Sequence, residues 1–316
     1  MTGSAPDERS SLADWLIFGA LGFMWGSSYF WIKVGVATLE PWTLIAGRLG
    51  IGLLVLATVV ALAREPLPRD LRIYGHLIVL SVISIALPFF LITTAEQTVD
   101  SALAAILNAS VPLFAIVIAA LVLHDEPITV NRLVGLVVGF VGVVILVGRG
   151  FDAIGRGESV YGELALVGSS ISYGAGAVYA RRYIRGLRPM IPAMFQVGFA
   201  FVIAILFAVA LEHPLATDGR PDTIASIAWL GILGSGFAYI AFFRLIGRWG
   251  ATRTALVAYL LPVVGILLGV FVLDEQIDAR ILVGTALVIG GVALVNARYG
   301  QRRLFGRAPA KPAEPA

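Results

Sequence analysis

Residues 101–147 read SALAAILNASVPLFAIVIAALVLHDEPITVNRLVGLVVGFVGVVILV, and residues 253–295 read RTALVAYLLPVVGILLGVFVLDEQIDARILVGTALVIGGVALV. Each stretch is an apolar run with one internal proline, a short polar break, and a second apolar run spaced by glycine. Pro112 recurs as Pro262 at an offset of 150. Past the break the offset is 149, with Glu126 recurring as Glu275, Gly135 as Gly284 and Gly142 as Gly291. The one-residue slip falls in the polar break, where a loop absorbs it. Further upstream, at offset 148, Trp25-Gly26 faces Tyr173-Gly174, Lys33 faces Arg181 and Pro41 faces Pro189. A repeat of this kind constrains architecture before any local reading does. The chain therefore reads as two similar halves, roughly 12–148 and 161–297.

The chain has 316 residues, 59% apolar and 14% charged. A soluble domain carries about 25% charged residues. So few charges do not cover a water-facing surface, and the solvent must be lipid. The apolar runs are each near the ~20 residues that a bilayer core demands of a helix. The sequence predicts an all-α integral membrane protein with ten spans, at 13–36, 41–63, 73–97, 101–123, 131–148, 161–180, 190–211, 223–243, 252–273 and 279–297. Residues 1–12 precede the first repeat (13–148), 149–160 connect it to the second (161–297), and the tail 298–316, basic and then rich in Pro and Ala, is expected to be disordered. No basic segment of a cleavable signal precedes the first span.

Five spans per half is an odd number, so the second copy enters the membrane from the opposite side. The predicted fold is two inverted five-helix repeats, an arrangement that points to alternating access with a site at the repeat interface near the midplane. With the N-terminus inside, seventeen of the 23 Lys and Arg lie in inside segments. Five lie outside (Lys33, Arg149, Arg156, Arg220 and Arg280), and Arg48 falls within a span. The positive-inside bias then puts both termini in the cytoplasm.

Several function classes are excluded by what is missing. The chain has no cysteine, and His76, His124 and His213 sit at predicted span edges. There is no HExxH pattern, no mid-span aspartate pair, and no glycine loop with a phosphate-binding lysine. The only lysines are Lys33 and Lys311. No catalytic residue, metal site, cofactor or nucleic-acid partner is expected; the expected partners are membrane lipid and a small-molecule substrate. The glycine pairs Gly22/Gly26, Gly135/Gly139 and Gly265/Gly269 have the spacing that lets helices approach closely in lipid. That contact lies either within the chain or in a homodimer.

The polar residues within the spans carry the functional reading. Arg48 is the only charge well inside a span, at a cost of roughly 2.5–3.5 kcal/mol on insertion scales. Either it snorkels or pairs with Glu96, or it seeks a substrate carboxylate. Its repeat equivalent is Gln196. Asn108, one turn before Pro112, needs a partner on a neighbouring helix or in a cavity. Trp25, Tyr173, Tyr239 and Tyr259 lie deeper than an interfacial belt and are candidate cavity residues, with Ser28 beside Trp25. Trp15, Trp42, Trp229 and Trp249 are expected in the belts. Pro112 and Pro262 each remove a helix hydrogen bond and serve as structural kinks or as hinges.

These residues resemble the drug/metabolite transporter superfamily, specifically proteins with two EamA-type domains. The resemblance rests on Trp25-Gly26-Ser27-Ser28 with Lys33 closing the first span, Pro41 and Arg48 in the second, and Pro112 with Glu126 around the fourth. Tyr161-Gly162-Glu163 opens the sixth, the Gly231 to Tyr239 run forms the eighth, and Pro262 with Glu275 recurs around the ninth. His124 departs from the small residue expected near that glutamate. The resemblance implies ten spans, cytoplasmic termini, a central cavity, and movement of amino acids and other small metabolites across a bacterial inner membrane, often outward. The expected function is a secondary transporter of such compounds, binding against Trp25, Ser28, Arg48, Asn108, Tyr173, Gln196, Tyr239 and Tyr259. The alternatives are an exporter of lipophilic drugs and a non-transporting membrane scaffold.

Overall fold

Polar caps fix where the apolar runs begin. Ser11 opens the first helix through a capping box: the Asp14 backbone N–H donates to Ser11 Oγ at 3.3 Å, and the Ser11 backbone N–H donates to Asp14 Oδ2 at 3.1 Å. Pro41 occupies the first turn of the second helix, where its missing N–H costs nothing. Asp70 caps the third, accepting from the Arg72 N–H at 2.9 Å. The computed structural model describes residues 11–123, 128–152, 158–184, 186–213, 219–296 and 303–305.

Ten long helices result: α1 Leu12–Val36, α2 Pro41–Leu62, α3 Leu71–Ala95, α4 Ser101–Val122, α5 Val130–Asp152, α6 Glu158–Tyr183, α7 Met190–Leu211, α8 Pro221–Trp249, α9 Ala255–Leu273 and α10 Ala279–Asn296. Among the described residues, all but α6 are long and apolar enough to cross a membrane on length and hydropathy alone. The exception, α6, is the least apolar because it carries Ser169, Ser170, Ser172, Tyr173, Gly174 and Gly176 in its middle. The three serines are buried against neighbouring helices. The protein is an all-α, multi-pass membrane protein.

The contacts come in repeat-related pairs. Helix α1 packs on α9 as α6 packs on α4, and α2 packs on α8 as α7 packs on α3. Three contacts map onto themselves: α2 with α7, α4 with α9, and α5 with α10. That is the pattern of two inverted five-helix repeats. The α5/α10 contact is made by glycine. A Cβ added at Gly291 would sit 2.5 Å from the Gly139 nitrogen, and one at Gly142 would sit 2.8 Å from the Gly284 carbonyl oxygen. Backbone cannot rotate away as a side chain can, so the two helices would have to separate. Gly291→Ala is expected to destabilise the protein by about 1–3 kcal/mol, read as a lower melting temperature in detergent. Gly290→Ala, whose added methyl meets nothing within 4 Å, is the neutral control. Gly22, Gly26 and Gly265 likewise face other helices of the same chain, so these glycine faces serve internal packing.

The helices that carry Pro112 and Pro262 are interrupted just before that proline. Helix α4 breaks at Ala109 and Ser110 between Ser101–Asn108 and Val111–Val122. The start of α9, Ala255–Tyr259, is wound as a 3₁₀ turn ahead of Leu260–Leu273. The third helix of each half carries a π-helical segment, Val82–Ala86 in α3 and Trp229–Phe237 in α8. Such segments free backbone carbonyls. Here they are satisfied across the fold: Ser172 Oγ donates to the Ile83 oxygen at 2.6 Å, and the Trp25 indole N–H to the Gly234 oxygen at 3.3 Å.

Two expectations are corrected. Trp229 is not in an interfacial belt. Helix α8 starts at Pro221, so Trp229 lies about two turns inside it, stacks on Trp31 at 5.5 Å and donates its indole N–H to Ser27 Oγ at 3.0 Å. The tail is not wholly irregular, since Arg303–Phe305 pairs antiparallel with Ile128–Thr129. That pairing sets Ile128–Thr129 and Arg303–Phe305 on one face of the molecule, as an even number of crossings between them requires. The Glu126 motif lies outside the described residues.

Candidate functional site: a two-fold cavity at the repeat interface

The inverted repeats enclose a cavity of about 580 Å³. Its walls come from α1, α2, α3, α4, α6, α7, α8 and α9; α5 and α10, bound to each other, contribute nothing. The lining obeys the repeat. Trp25 pairs with Tyr173, Ser28 with Gly176, Tyr29 with Ala177, Ile32 with Ala180 and Arg48 with Gln196 at offset 148. Ser84 pairs with Gly234, Phe89 with Tyr239, Ile92 with Phe242, Asn108 with Ala258 and Val111 with Leu261 at offset 150.

Seven of the eight residues singled out in the sequence line this cavity: Trp25, Ser28, Arg48, Asn108, Tyr173, Gln196 and Tyr239. Tyr259 does not. Its hydroxyl takes a hydrogen bond from Asn296 Nδ2 at 3.3 Å, and its ring packs with Leu113 and Val292. The 3₁₀ winding of Ala255–Tyr259 turns Val257 and Ala258 to the cavity instead. The repeat offset carries the signal for this, because Asn108 maps to Ala258 and not to Tyr259. The same offset, applied to Tyr239 and Ala177, finds Phe89 and Tyr29, which the sequence reading passed over. Pro112 follows the α4 break directly and Pro262 is buried in α9, each beside a lining residue, Val111 and Leu261.

The polar lining divides into groups that are occupied and groups that are available. Ser28 Oγ donates to the Met24 carbonyl at 2.9 Å, and the Trp25 indole is held by Gly234. Asn108 donates from Nδ2 to the Tyr29 hydroxyl and accepts from Ser170 Oγ at 3.4 Å. These groups rigidify the wall. Tyr173, Gln196 and Tyr239 line the cavity and make no side-chain hydrogen bond among the described residues. Arg48 makes one: Nε donates to Ser235 Oγ at 3.3 Å. Its guanidinium carbon sits 4.2 Å over the centroid of the Phe89 ring. It is 4% exposed and forms no ion pair among the described residues, so it neither snorkels nor pairs with Glu96. A guanidinium has five donors in a rigid fork; four of these lack a protein acceptor.

The lining reaches a mouth at one end of the helix bundle. Ile184, Leu187 and Pro189, at the α6–α7 connection, line its rim, while Ile32 and Ile92 lie toward the other end. The mouth is on the basic face, beside Arg181, Arg182 and Arg188 and the α8–α9 connection with Arg248 and Arg253. The opposite face is closed. Glu275 caps the N-terminus of α4, accepting from the Ser101 N–H at 2.8 Å and the Ala102 N–H at 2.9 Å. Lys33 Nζ caps the C-terminus of α3 through the Glu96 and Val99 carbonyls, both at 2.8 Å. Glu212 caps α2, accepting from the Trp42 N–H at 2.8 Å and the Thr43 N–H at 2.7 Å. Thr38 and Thr223 bond at 2.7 Å. On the basic face the residue at the matching place, Glu65, does not cap α7; it pairs with exposed Arg188 at 2.7 Å, and the α7 N-cap has no side-chain bond. At this pair of places, among the described residues, the two faces are held differently.

A model of the EamA-like transporter family matches residues 12–148 and again 160–297. Among similar proteins, the inner membrane transporter YedA of Escherichia coli K12 is 29% identical over 287 residues, covering 89% of this chain and 90% of its own. The transporter YoaV of Bacillus subtilis is 22% identical over 281 residues, covering 89% of this chain and 96% of its own. A solved structure titled only as a crystal structure of protein shares the fold at a TM-score of 0.62, with 21% identity over 89% of this chain and 96% of that one.

Proposed function

Because the chain belongs to the EamA-like transporter family, we propose that it is a secondary transporter of small carboxylate-bearing metabolites, amino acids and related acids among them, working outward by alternating access. One observation carries the substrate side of this reading: Arg48 is a buried, unpaired guanidinium on the wall of a cavity that spans both repeats. An unpaired buried charge costs several kcal/mol, and a substrate carboxylate in bidentate contact would relieve that cost. Tyr173, Tyr239 and Gln196 supply further donors, and the aromatic walls hold an apolar body. A cationic drug would meet the wrong sign of charge.

Sidedness supports the outward direction. Lys and Arg concentrate on the face where the cavity opens, which the positive-inside rule assigns to the cytoplasm. On that assignment both termini are cytoplasmic, the membrane is the inner one in which the similar YedA is named, and substrate loads from within. Rocking the halves exchanges the caps of one face for those of the other. The proline breaks of α4 and α9 are the hinges.

Counterflow in proteoliposomes, with a pool of labelled amino acids and small organic acids and with or without a proton gradient, tests the reading. Saturable exchange of carboxylates supports it. No exchange of any acid by folded protein removes it. Tyr239→Phe deletes a donor near Arg48 and is expected to raise KM about tenfold or more, the worth of a hydrogen bond to a charged group. Tyr259→Phe, off the cavity, is expected to leave KM within twofold.

A further inference from the structure

We infer that the cavity selects an acid without an ammonium group: a monoanionic carboxylate on an aromatic or apolar body, in preference to a zwitterionic amino acid. This rests on the reading that Arg48 seats a carboxylate, and narrows it.

The argument is one of charge balance. Arg48 is the one charged side chain among the described residues that line the cavity, and no Asp or Glu lines it. A single carboxylate on Arg48 therefore leaves the enclosed site neutral. An amino acid would place its carboxylate there and bring an ammonium with it, and the enclosed charge would again be a bare cation. Burying such a cation without a counter-charge is strongly disfavoured.

An ammonium would need a counter-charge, an acceptor or a ring face, and only a counter-charge would neutralise it. Glu96 is buried and its carboxylate oxygens have no hydrogen-bond partner, but it is not part of the cavity wall. Lys33 Nζ sits on the Glu96 backbone carbonyl at 2.8 Å. The Asn108 amide nitrogen is turned to Tyr29, and its carbonyl oxygen lies 3.4 Å from Ser170 Oγ, a neutral acceptor that leaves an ammonium's charge unbalanced. Ring faces attract cations; the Phe89 face is already under Arg48. Trp25 meets Tyr239 nearly edge-on, at 80°, and leans on Phe242 at 5.1 Å. Tyr173, Gln196 and Tyr239 can donate to a carboxylate's oxygens or accept from an ammonium, but being neutral they leave an ammonium's charge unbalanced beside Arg48.

The test uses three compounds with one skeleton: 3-phenylpropanoate, L-phenylalanine and 2-phenylethylamine. The full-length protein has no cysteine, so Ala258→Cys on the cavity wall is a unique reporter, with Ala177→Cys as a second should the first fail to fold. Protection from maleimide labelling in detergent at neutral pH reads binding. The expected result is half-protection by 3-phenylpropanoate at a concentration at least tenfold below that for phenylalanine, with none by the amine. Equal or better protection by phenylalanine overturns the inference and leaves the carboxylate reading standing. Protection by the amine alone, or by none of the three at either reporter, overturns both.

Discussion

Arg48→Met abolishes transport, by at least about 100-fold in kcat/KM, and leaves the protein folded in the membrane: this is the first and largest expected effect. The two halves of the expectation have one cause. In the resting protein the guanidinium has a single hydrogen bond, to Ser235, and a ring face beneath it. These do not balance a buried charge, so methionine of similar length removes a local cost of roughly 2.5–3.5 kcal/mol on insertion scales and only one weak bond. The melting temperature should hold or rise. With substrate present the balance reverses. A charge-assisted bidentate contact is lost, and at about 1.4 kcal/mol per factor of ten a loss of about 3 kcal/mol accounts for the 100-fold effect. Uptake beside a thermal melt of the same preparation checks both. A variant that transports normally returns Arg48 to a packing role; one that fails to fold makes it structural.

The second large effect is expected at Glu275. Its two carboxylate oxygens hold the first two N–H groups of α4 and so tie the α9–α10 connection to the first repeat. Carboxylate at a helix N-terminus is favoured by both hydrogen bonding and the helix dipole. Each bond to a charged group is worth about 1.5–3 kcal/mol. If the two together contribute about 3 kcal/mol to the closed face, Glu275→Ala shifts the ratio of open to closed by about 100-fold. Ile92→Cys, at the shut end of the cavity and 3% exposed, reports it: an impermeant thiol reagent on the face opposite the mouth should label this cysteine rapidly in the Glu275→Ala background and slowly without it. Unchanged labelling would mean that Glu275 supports the fold and not the closure.

The legible part of this molecule was the part set by lengths and offsets. Apolar runs of bilayer length gave the ten helices, and Pro112 against Pro262 gave the repeat. An odd number of helices per half gave the inversion. The cavity was half legible, because a two-fold site places residues at the same offsets as the scaffold. Trp25 with Tyr173 and Arg48 with Gln196 were found that way. Tyr259 was misplaced because one 3₁₀ turn rotates side chains by a different angle per residue than an α-helix, and no residue type in Ala255–Tyr259 announces that winding. The π-helical segments of α3 and α8 were hidden for the same reason, and with them the setting of Trp229. The closure was hidden because Glu275 and Glu212 act on helix ends more than 160 residues away in sequence. A lone glutamate after an apolar run reads as a solvated loop residue until its partner is seen.

The central claim is that a carboxylate seated on Arg48 fills a cavity open to one face. Sided labelling of Ala258→Cys tests it most directly, in inside-out and right-side-out vesicles, with and without saturating 3-phenylpropanoate, and again with Arg48→Met. The expected result is labelling from the basic face only, blocked by the acid, with the block lost in the Arg48→Met background. Labelling from neither face, or a block that survives the loss of Arg48, would contradict the account.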